Sequence, residues 1–517
     1  MMQTQLFRYP KLEVLLAIAS FFSFALYFHL KKWRSSSLPV NWPIVGMLPD
    51  IYFQFHRLHD HLVNILCQVG NNFMFQGPWF LGMNFLITCD PANVNHIYNA
   101  HSSNYSKGDD FKEIFDILGD GILSSTSESW RVQRRMAHAI LGDRSFQSFV
   151  ADAVLRSIQH GLIPFLDRMS EHGVAIDIHD VLVRLFMDIS RKTVLGVDPD
   201  SLSTTFQDDD FFVALLQVEE ALMFRHVVPS YIWKLLRWLN VGEERKLATA
   251  REVLERFIFQ QISEKRAVER HDVKTAPDML TLYLNWPMLD DDINSDAYKS
   301  DKFLRDTAFT LVAAGSGTLA IALSWFFYLI AKHPRVEQKI LQELEVLLPE
   351  EDKIGPGIPI FSCHLIQSIV YLQAAILETL RLFPSVPMDH KGALKDDVLP
   401  SGIKVRQGMR IIIPIYAMGR MKDLWGEDCM EFRPERWISK DGTLRHEPTN
   451  KFMAFSSGPR NCVGRKMALT QLKLVAAAIV YNFRFELIEG QDITPMNSVL
   501  LYMANGCMVR VKKRLIK

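Results

Sequence analysis

Cys462 lies in the run Phe455-Ser456-Ser457-Gly458-Pro459-Arg460-Asn461-Cys462-Val463-Gly464, which reads F-x-x-G-x-R-x-C-x-G. A cysteine thiolate that ligates iron needs a turn that brings backbone N–H groups close to sulfur. Gly458 and Gly464 are expected to supply the dihedrals and close approach of that turn. Arg460 puts a guanidinium, well matched to a carboxylate, where a haem propionate would lie. Phe455 can cover the sulfur and keep water away. A thiolate on haem iron pushes electron density onto the metal and favours O–O cleavage. A lone cysteine in a glycine-containing loop is more often buried and inert. Five fixed positions at these spacings, followed by an apolar run from Met467 to Val480, tip the reading toward an iron ligand.

The run resembles the haem-binding loop of the cytochromes P450, the haem-thiolate monooxygenases. The resemblance implies haem b (iron protoporphyrin IX) with Cys462 as axial iron ligand. It also implies O2 as co-substrate and NADPH–cytochrome P450 reductase as electron donor. Glu378-Thr379-Leu380-Arg381 lies in an amphipathic stretch, Ile369 to Leu382, where residues three apart share a helix face. Phe432-Arg433-Pro434-Glu435-Arg436-Trp437 supplies a second arginine. Alone, such residues make surface ion pairs of little weight. The resemblance implies instead a buried structural network of Glu378, Arg381 and Arg436 beneath the haem. Trp130 and Arg134, in W-x-x-x-R, fall on one helix face, and the resemblance sets both against a propionate. Cofactor-binding residues are thus expected to be Trp130, Arg134, Phe455, Gly458 and Arg460. The basic face Arg131, Arg134 and Arg135 is either solvated or a docking surface for an acidic redox partner.

One segment departs from the family pattern. The oxygen-activating motif is usually [AG]-G-x-[DE]-T-[TS]; here it is Ala314-Gly315-Ser316-Gly317-Thr318-Leu319. Thr318, the expected catalytic alcohol, is kept, while glycine holds the acid position. The acid–alcohol pair normally routes protons, so its loss leaves Thr318, Ser316 and water. Gly315 and Gly317 each cost a helix about 1 kcal/mol relative to Ala. An offset is expected, as room above the haem or as a local distortion. Three readings follow: an impaired hydroxylase, a non-catalytic haem-binding membrane protein, or a changed chemistry whose substrate brings its own acidic protons. A phenol, with a pKa of about 10, could do so; an alkane could not.

The elements that must position these residues read as mainly α with small β-sheets, a P450 fold preceded by one N-terminal transmembrane helix. Val14 to Leu30 carries no Asp, Glu, Lys or Arg and, as a helix, spans about 26 Å. Lys31, Lys32 and Arg34 follow, which favours a cytosolic catalytic domain on the endoplasmic reticulum membrane. The expected organisation is an anchor at 1–34, a Ser/Pro hinge at 35–49 and a haem-thiolate oxidase domain at 50–517. A long apolar helix runs from about Asp301 to Lys332-His333-Pro334. Strands are expected at Met83 to Cys89, Lys404 to Val405, Arg410 to Pro414 and Cys507 to Val511, and a surface loop from Arg270 to Asp301. Zero net charge over 517 residues points away from nucleic acid. Six scattered cysteines fit a reducing compartment rather than a disulfide framework.

Nearly the whole chain is similar to plant long-chain hydroxylases. The residues that carry this include Asn41-Trp42-Pro43, Gly77-Pro78-Trp79, Tyr105-Ser106-Lys107-Gly108 and Leu444-Arg445-His446-Glu447-Pro448. Within them it resembles the midchain alkane hydroxylase subfamily, which also includes the noroxomaritidine synthases. The resemblance implies a small apolar or phenolic substrate. The expected reaction is intramolecular oxidative phenol coupling of an O-methylnorbelladine-type precursor in Amaryllidaceae alkaloid biosynthesis. Midchain alkane or fatty-acid hydroxylation is the alternative. Substrate-facing candidates are Phe111 to Ser124, Phe224, Ala313, Ala314, Val386, Met388, Leu500 and Leu501. Each could equally be plain core. His390 could reach a propionate or could be an exposed loop residue.

Overall fold

In the computed structural model, residues 38–81, 83–199, 201–202, 209–267, 278–286, 297–348 and 361–514 are described, with a few positions between 20 and 31. Seven helices matter to the site: α1 (Ser127–Gly142), α2 (Ile178–Leu195), α3 (Asp210–Val227), α4 (Gly242–Ala267), α5 (Asp301–Lys332), α6 (Tyr371–Leu382) and α7 (Arg465–Asn482). The strands are β1 (Asn72–Gln76), β2 (Asn84–Thr88), β3 (Tyr105–Ser106), β4 (Ala175–Asp177), β5 (Asp389–Ala393), β6 (Asp397–Val398), β7 (Lys404–Val405), β8 (Arg410–Ile413), β9 (Phe483–Leu487) and β10 (Met508–Lys513). They form a five-stranded sheet ordered β1-β2-β8-β5-β3, a three-stranded sheet β4-β10-β9 and the pair β6-β7. Among the described residues only β2 and β8 pair in parallel; the other pairings are antiparallel.

Helix α5 organises the rest. The Ser300 side chain caps it by accepting from the Phe303 N–H at 3.2 Å. It stops at Lys332 because His333 precedes Pro334 and takes φ −123°, ψ 72°, outside the helical region. At about 1.5 Å per residue its 32 residues span about 48 Å. It is apolar almost all round, as a helix threading a core must be. Helices α2, α4, α6 and α7 pack on it. Among the described residues it is the helix long and apolar enough to cross a membrane, yet it is mostly buried inside the protein. The expected anchor, Val14 to Leu30, falls mainly outside the described residues.

The expected strands are present within a residue or two at each end. The expected surface loop from Arg270 to Asp301 is corrected in part. Asp278 caps a short helix, Met279–Leu284, whose Met279, Leu280 and Tyr283 are buried. The remainder of that stretch lies mainly outside the described residues.

Candidate active site

The cysteine turn is built by backbone geometry. Ser456 and Gly458 both take left-handed conformations, φ 58° and 70°. Any Cβ at Gly458 would also collide with the Tyr98 carbonyl oxygen, so glycine is required there twice over. The Cys462 N–H donates to the Phe455 carbonyl at 2.8 Å and closes the turn. The expectation for Gly464 needs correction: its φ of −89° suits any residue, and a Cβ there would meet only open space. Cys462 keeps accessible surface, although protein surrounds it closely enough that burial raises its thiol pKa. The Gly464 N–H, Arg134 and Arg465 oppose the burial and favour the thiolate. Arg465 also lies 5.2 Å from the Phe455 ring centroid.

Helix α1 brings two more predicted residues to this turn. The Arg134 guanidinium donates to the Asn461 carbonyl at 2.6 Å and to the Asn461 side chain. Trp130 lies between two cations, with Arg460 at 4.5 Å and Arg134 at 5.9 Å from its ring. Arg460 also donates to the Ser125 carbonyl at 2.8 Å. Burial, then mutual repulsion with Arg134, lowers the Arg460 pKa.

Sequence reasoning missed a third cation. Lys391 is 3% exposed, makes no ion pair among the described residues, and sits 4.7 Å over the Tyr98 ring. Burial pushes its pKa down to about 8, with repulsion from Lys107 and Arg460 adding to that. Its neighbour His390 was the residue singled out, but β5 turns alternate side chains to opposite faces. His390 points toward Phe111, at 5.4 Å, and His226, at 6.1 Å. It is neither an exposed loop residue nor on the side of Arg460 and Lys391. Three buried or half-buried cations around an accessible thiol fit a planar group carrying two carboxylates beside an iron.

Helix α6 and the segment from residues 419 to 437 form a buried polar network. Arg381 pairs with Glu378 through two hydrogen bonds of 2.8 Å, both side chains being 0% exposed. Glu378 also accepts from the Trp437 indole at 2.9 Å, the Arg433 N–H at 3.0 Å and Arg436 at 3.4 Å. Arg381 donates further to the carbonyls of Gly419, Cys429 and Glu431. Arg436 donates to the Trp425 and Asp428 carbonyls at 2.8 and 3.0 Å. The three predicted residues therefore meet. Trp437 and the Arg433 N–H went unnoticed although they lie in the same quoted run.

Midway along α5 runs an accessible stripe: Ala314 is exposed, and Leu311, Gly315 and Thr318 are half-buried, at helical spacing. Thr318 Oγ1 donates to the Ala314 carbonyl at 2.7 Å. Ser316, offered as a second alcohol, is buried and bonded to the Val312 carbonyl at 2.8 Å, away from that stripe. No distortion accompanies the two glycines: α5 is continuous through them. Nor does Gly317 open room on the accessible stripe, since it is buried. The offset is close packing. A Cβ at Gly315 would stand 3.1 Å from Ser190 Oγ of α2, and one at Gly317 would stand 2.8 Å from Leu500 Cδ1. Leu500 and Leu501, offered as substrate contacts, are buried; Val386, Met388, Ala313 and Phe224 are half-buried.

The arrangement of these elements matches a crystal structure of a cytochrome P450, CYP102L1, with a TM-score of 0.74 at 20% identity, over 91% of this chain and 97% of that one. A fold of this kind, which carries both a cysteine turn and a long central helix bearing an alcohol, is that of the haem-thiolate monooxygenases. The sequence profile of the family Cytochrome P450 matches residues 37–509. The chain belongs to that family, and it is an oxidoreductase that works with haem, O2 and a redox partner. Noroxomaritidine synthase 2 of Narcissus aff. pseudonarcissus MK-2014 is 42% identical over 509 residues, covering 98% of this chain and 97% of the relative. Alkane hydroxylase MAH1 of Arabidopsis thaliana is 40% identical over 500 residues, covering 95% and 97%.

Proposed function

We propose that this monooxygenase joins two phenol rings of one substrate by oxidative C–C coupling, the substrate being a bisphenolic benzylated amine of the O-methylnorbelladine type. One observation carries the reading. His390 Nε2 is buried with no hydrogen-bond partner among the described residues, in a cluster with Phe111 and His226. Burial lowers the His390 pKa to about 3, so the ring is neutral and offers one donor and one acceptor. A buried polar atom left unpaired is costly. A phenol hydroxyl would satisfy it and stack on the neighbouring rings; an alkane would do neither. The 42% identity to noroxomaritidine synthases points the same way.

In this reading Cys462 ligates the haem iron, while Trp130, Arg134, Arg460 and Lys391 hold its propionates. Phe455 and Gly458 shape the turn, and Glu378, Arg381 and Arg436 brace it from below. The bound haem supplies the oxidant. Thr318 handles a proton at Oγ1, and His390 fixes the orientation of one ring. The balance is substrate plus O2, NADPH and a proton giving coupled product, two waters and NADP+. NADPH–cytochrome P450 reductase is the proposed donor, docking against the basic face of α1. Residues 1–34 are the proposed single-pass anchor in the endoplasmic reticulum membrane, 35–49 the hinge and 50–517 the catalytic body.

The missing acid at Gly317 no longer argues for a substrate that brings its own protons, because Glu219 lies against that position. Hydroxylation of a midchain alkane or fatty acid is the second reading. It is favoured by the 40% identity to the Arabidopsis alkane hydroxylase and by the apolar character of Ala313, Ala314, Val386 and Met388. Turnover under isotopically heavy dioxygen separates them. A product two hydrogens lighter than the amine and free of heavy oxygen supports coupling. An alkane or fatty-acid product carrying one heavy oxygen, with the amine untouched, overturns it.

A further inference from the structure

Gly317 leaves a volume that another helix fills. A Cβ built on Gly317 would lie 2.9 Å from the Tyr502 hydroxyl oxygen and 3.6 Å from Glu219 Oε1. Glu219 comes from α3, and Tyr502 from the loop before β10. A carboxyl attached to that Cβ would need the space these two groups hold, so one acid fits there and two do not. Glu219 is not built as a structural clasp. Every oxygen of Glu378 is engaged, whereas Glu219 Oε2 is buried with no partner among the described residues. The loop bearing Tyr502 is strapped to the turn of α5 that carries Thr318. Ser385 Oγ donates to the Thr318 carbonyl at 2.6 Å, and the Leu501 N–H donates to the Ser385 carbonyl at 2.9 Å.

We propose that Glu219 supplies from α3 the acid that α5 lacks at Gly317, acting as a proton relay toward the Thr318 hydroxyl with Tyr502 as its orienting partner. A proton leaves the Glu219 carboxyl and passes through water to Thr318 Oγ1, as the Thr318 hydroxyl gives up its own proton toward the O2 being reduced to water. The carboxylate then takes a proton from solvent, so Glu219 ends each turnover as it began. Electrons come from the redox partner and do not pass through these residues. Burial pushes Glu219 up to about 7, with the Tyr502 hydroxyl pulling the other way, and a relay acid works best near ambient pH. Tyr502 itself is raised by burial and by the Glu219 charge, so it stays protonated. His179 of α2 packs edge-on against Tyr502 at 5.5 Å and donates to or accepts from Ser324 at 2.8 Å. Burial lowers its pKa. The inference holds for either substrate reading and does not rest on phenol coupling.

The test uses the full chain, haem-loaded, with Glu219→Gln, Glu219→Asp and the relocated acid Glu219→Ala/Gly317→Asp. The first readout needs no turnover. With carbon-13 glutamate, infrared difference spectra of the parent should show a carboxylic-acid stretch that titrates near pH 7 and is missing in Glu219→Gln. The second uses reductase-containing microsomes, an O-methylnorbelladine-type amine and a long-chain alkane as probes. Glu219→Gln should lower product formation by about 10²-fold, raise hydrogen peroxide released per NADPH, and shift the pH profile. Glu219→Asp should retain part of the activity, and the relocated acid should recover most of it. Three results would overturn the proposal. One is no such infrared band near neutral pH. Another is unchanged coupling efficiency and pH profile in Glu219→Gln. The third is no recovery by the relocated acid in protein with a normal ferrous–CO spectrum. Should Glu219→Gln fail to fold, Glu219→Asp takes its place, since the carbon-13 glutamate band should be missing there too; should neither probe be turned over, infrared and peroxide release still decide.

Discussion

Gly458 and Gly464 look interchangeable in the sequence and answer to different constraints. Gly458 is fixed by the protein itself, through its left-handed backbone and the Tyr98 carbonyl; Gly464 borders open space. Gly458→Ala should therefore lower chain stability by at least about 1–2 kcal/mol from backbone strain alone, read as a drop in the unfolding midpoint of haem-free protein. Gly464→Ala should leave that midpoint close to the parent's, within roughly a few tenths of a kcal/mol. Glu219 gives a pH signature. Its pKa rises from 4.5 to about 7 on folding, so the folded state holds a proton that the unfolded chain releases. The stabilisation is full below about pH 4.5 and is lost as pH rises through about 7. In Glu219→Gln, melting temperature should fall less steeply across that window than in the parent. Cys462, Arg460 and Trp130 were legible because their spacing is local. Lys391 was not, because β5 pairing decides which of two adjacent residues faces the cations.

At the scale of elements, E-x-x-R announces a helix face but not its depth. Burial of Glu378 and Arg381 follows from three carbonyls and an indole arriving from residues 419 to 437, a tertiary fact no helix period contains. Removing the carboxylate charge with Glu378→Leu leaves Arg381 buried without its counterion. A loss of about 3–5 kcal/mol is expected, measured as a shift of the denaturant midpoint. The end of α5 was readable from Pro334, because proline acts locally. Its two glycines were misread as distortion or as space. Their neighbours, Ser190, Leu500 and Tyr502, lie more than a hundred residues away in the chain.

For the whole molecule, the mainly helical fold with small sheets was implied by the family resemblance of the motifs and by the few strand-like segments between apolar helical runs. The described body draws its core from Val40 onward. Deleting residues 1–34 should therefore leave the thermal midpoint of the remaining chain unchanged while moving protein from the membrane pellet to the supernatant, checked by calorimetry and sedimentation. The volume shared by position 317 and Glu219 also constrains the routes by which such a chain can change. A carboxylate at both places crowds one space with two like charges, whereas a chain with neither acid is merely less active. Substitutions that move the acid between helices are therefore tolerated in one order and not the other: the helix-borne acid must go before Glu219 arrives. Either substitution alone, made in a relative with the opposite arrangement, would look harmful although the pair together is neutral.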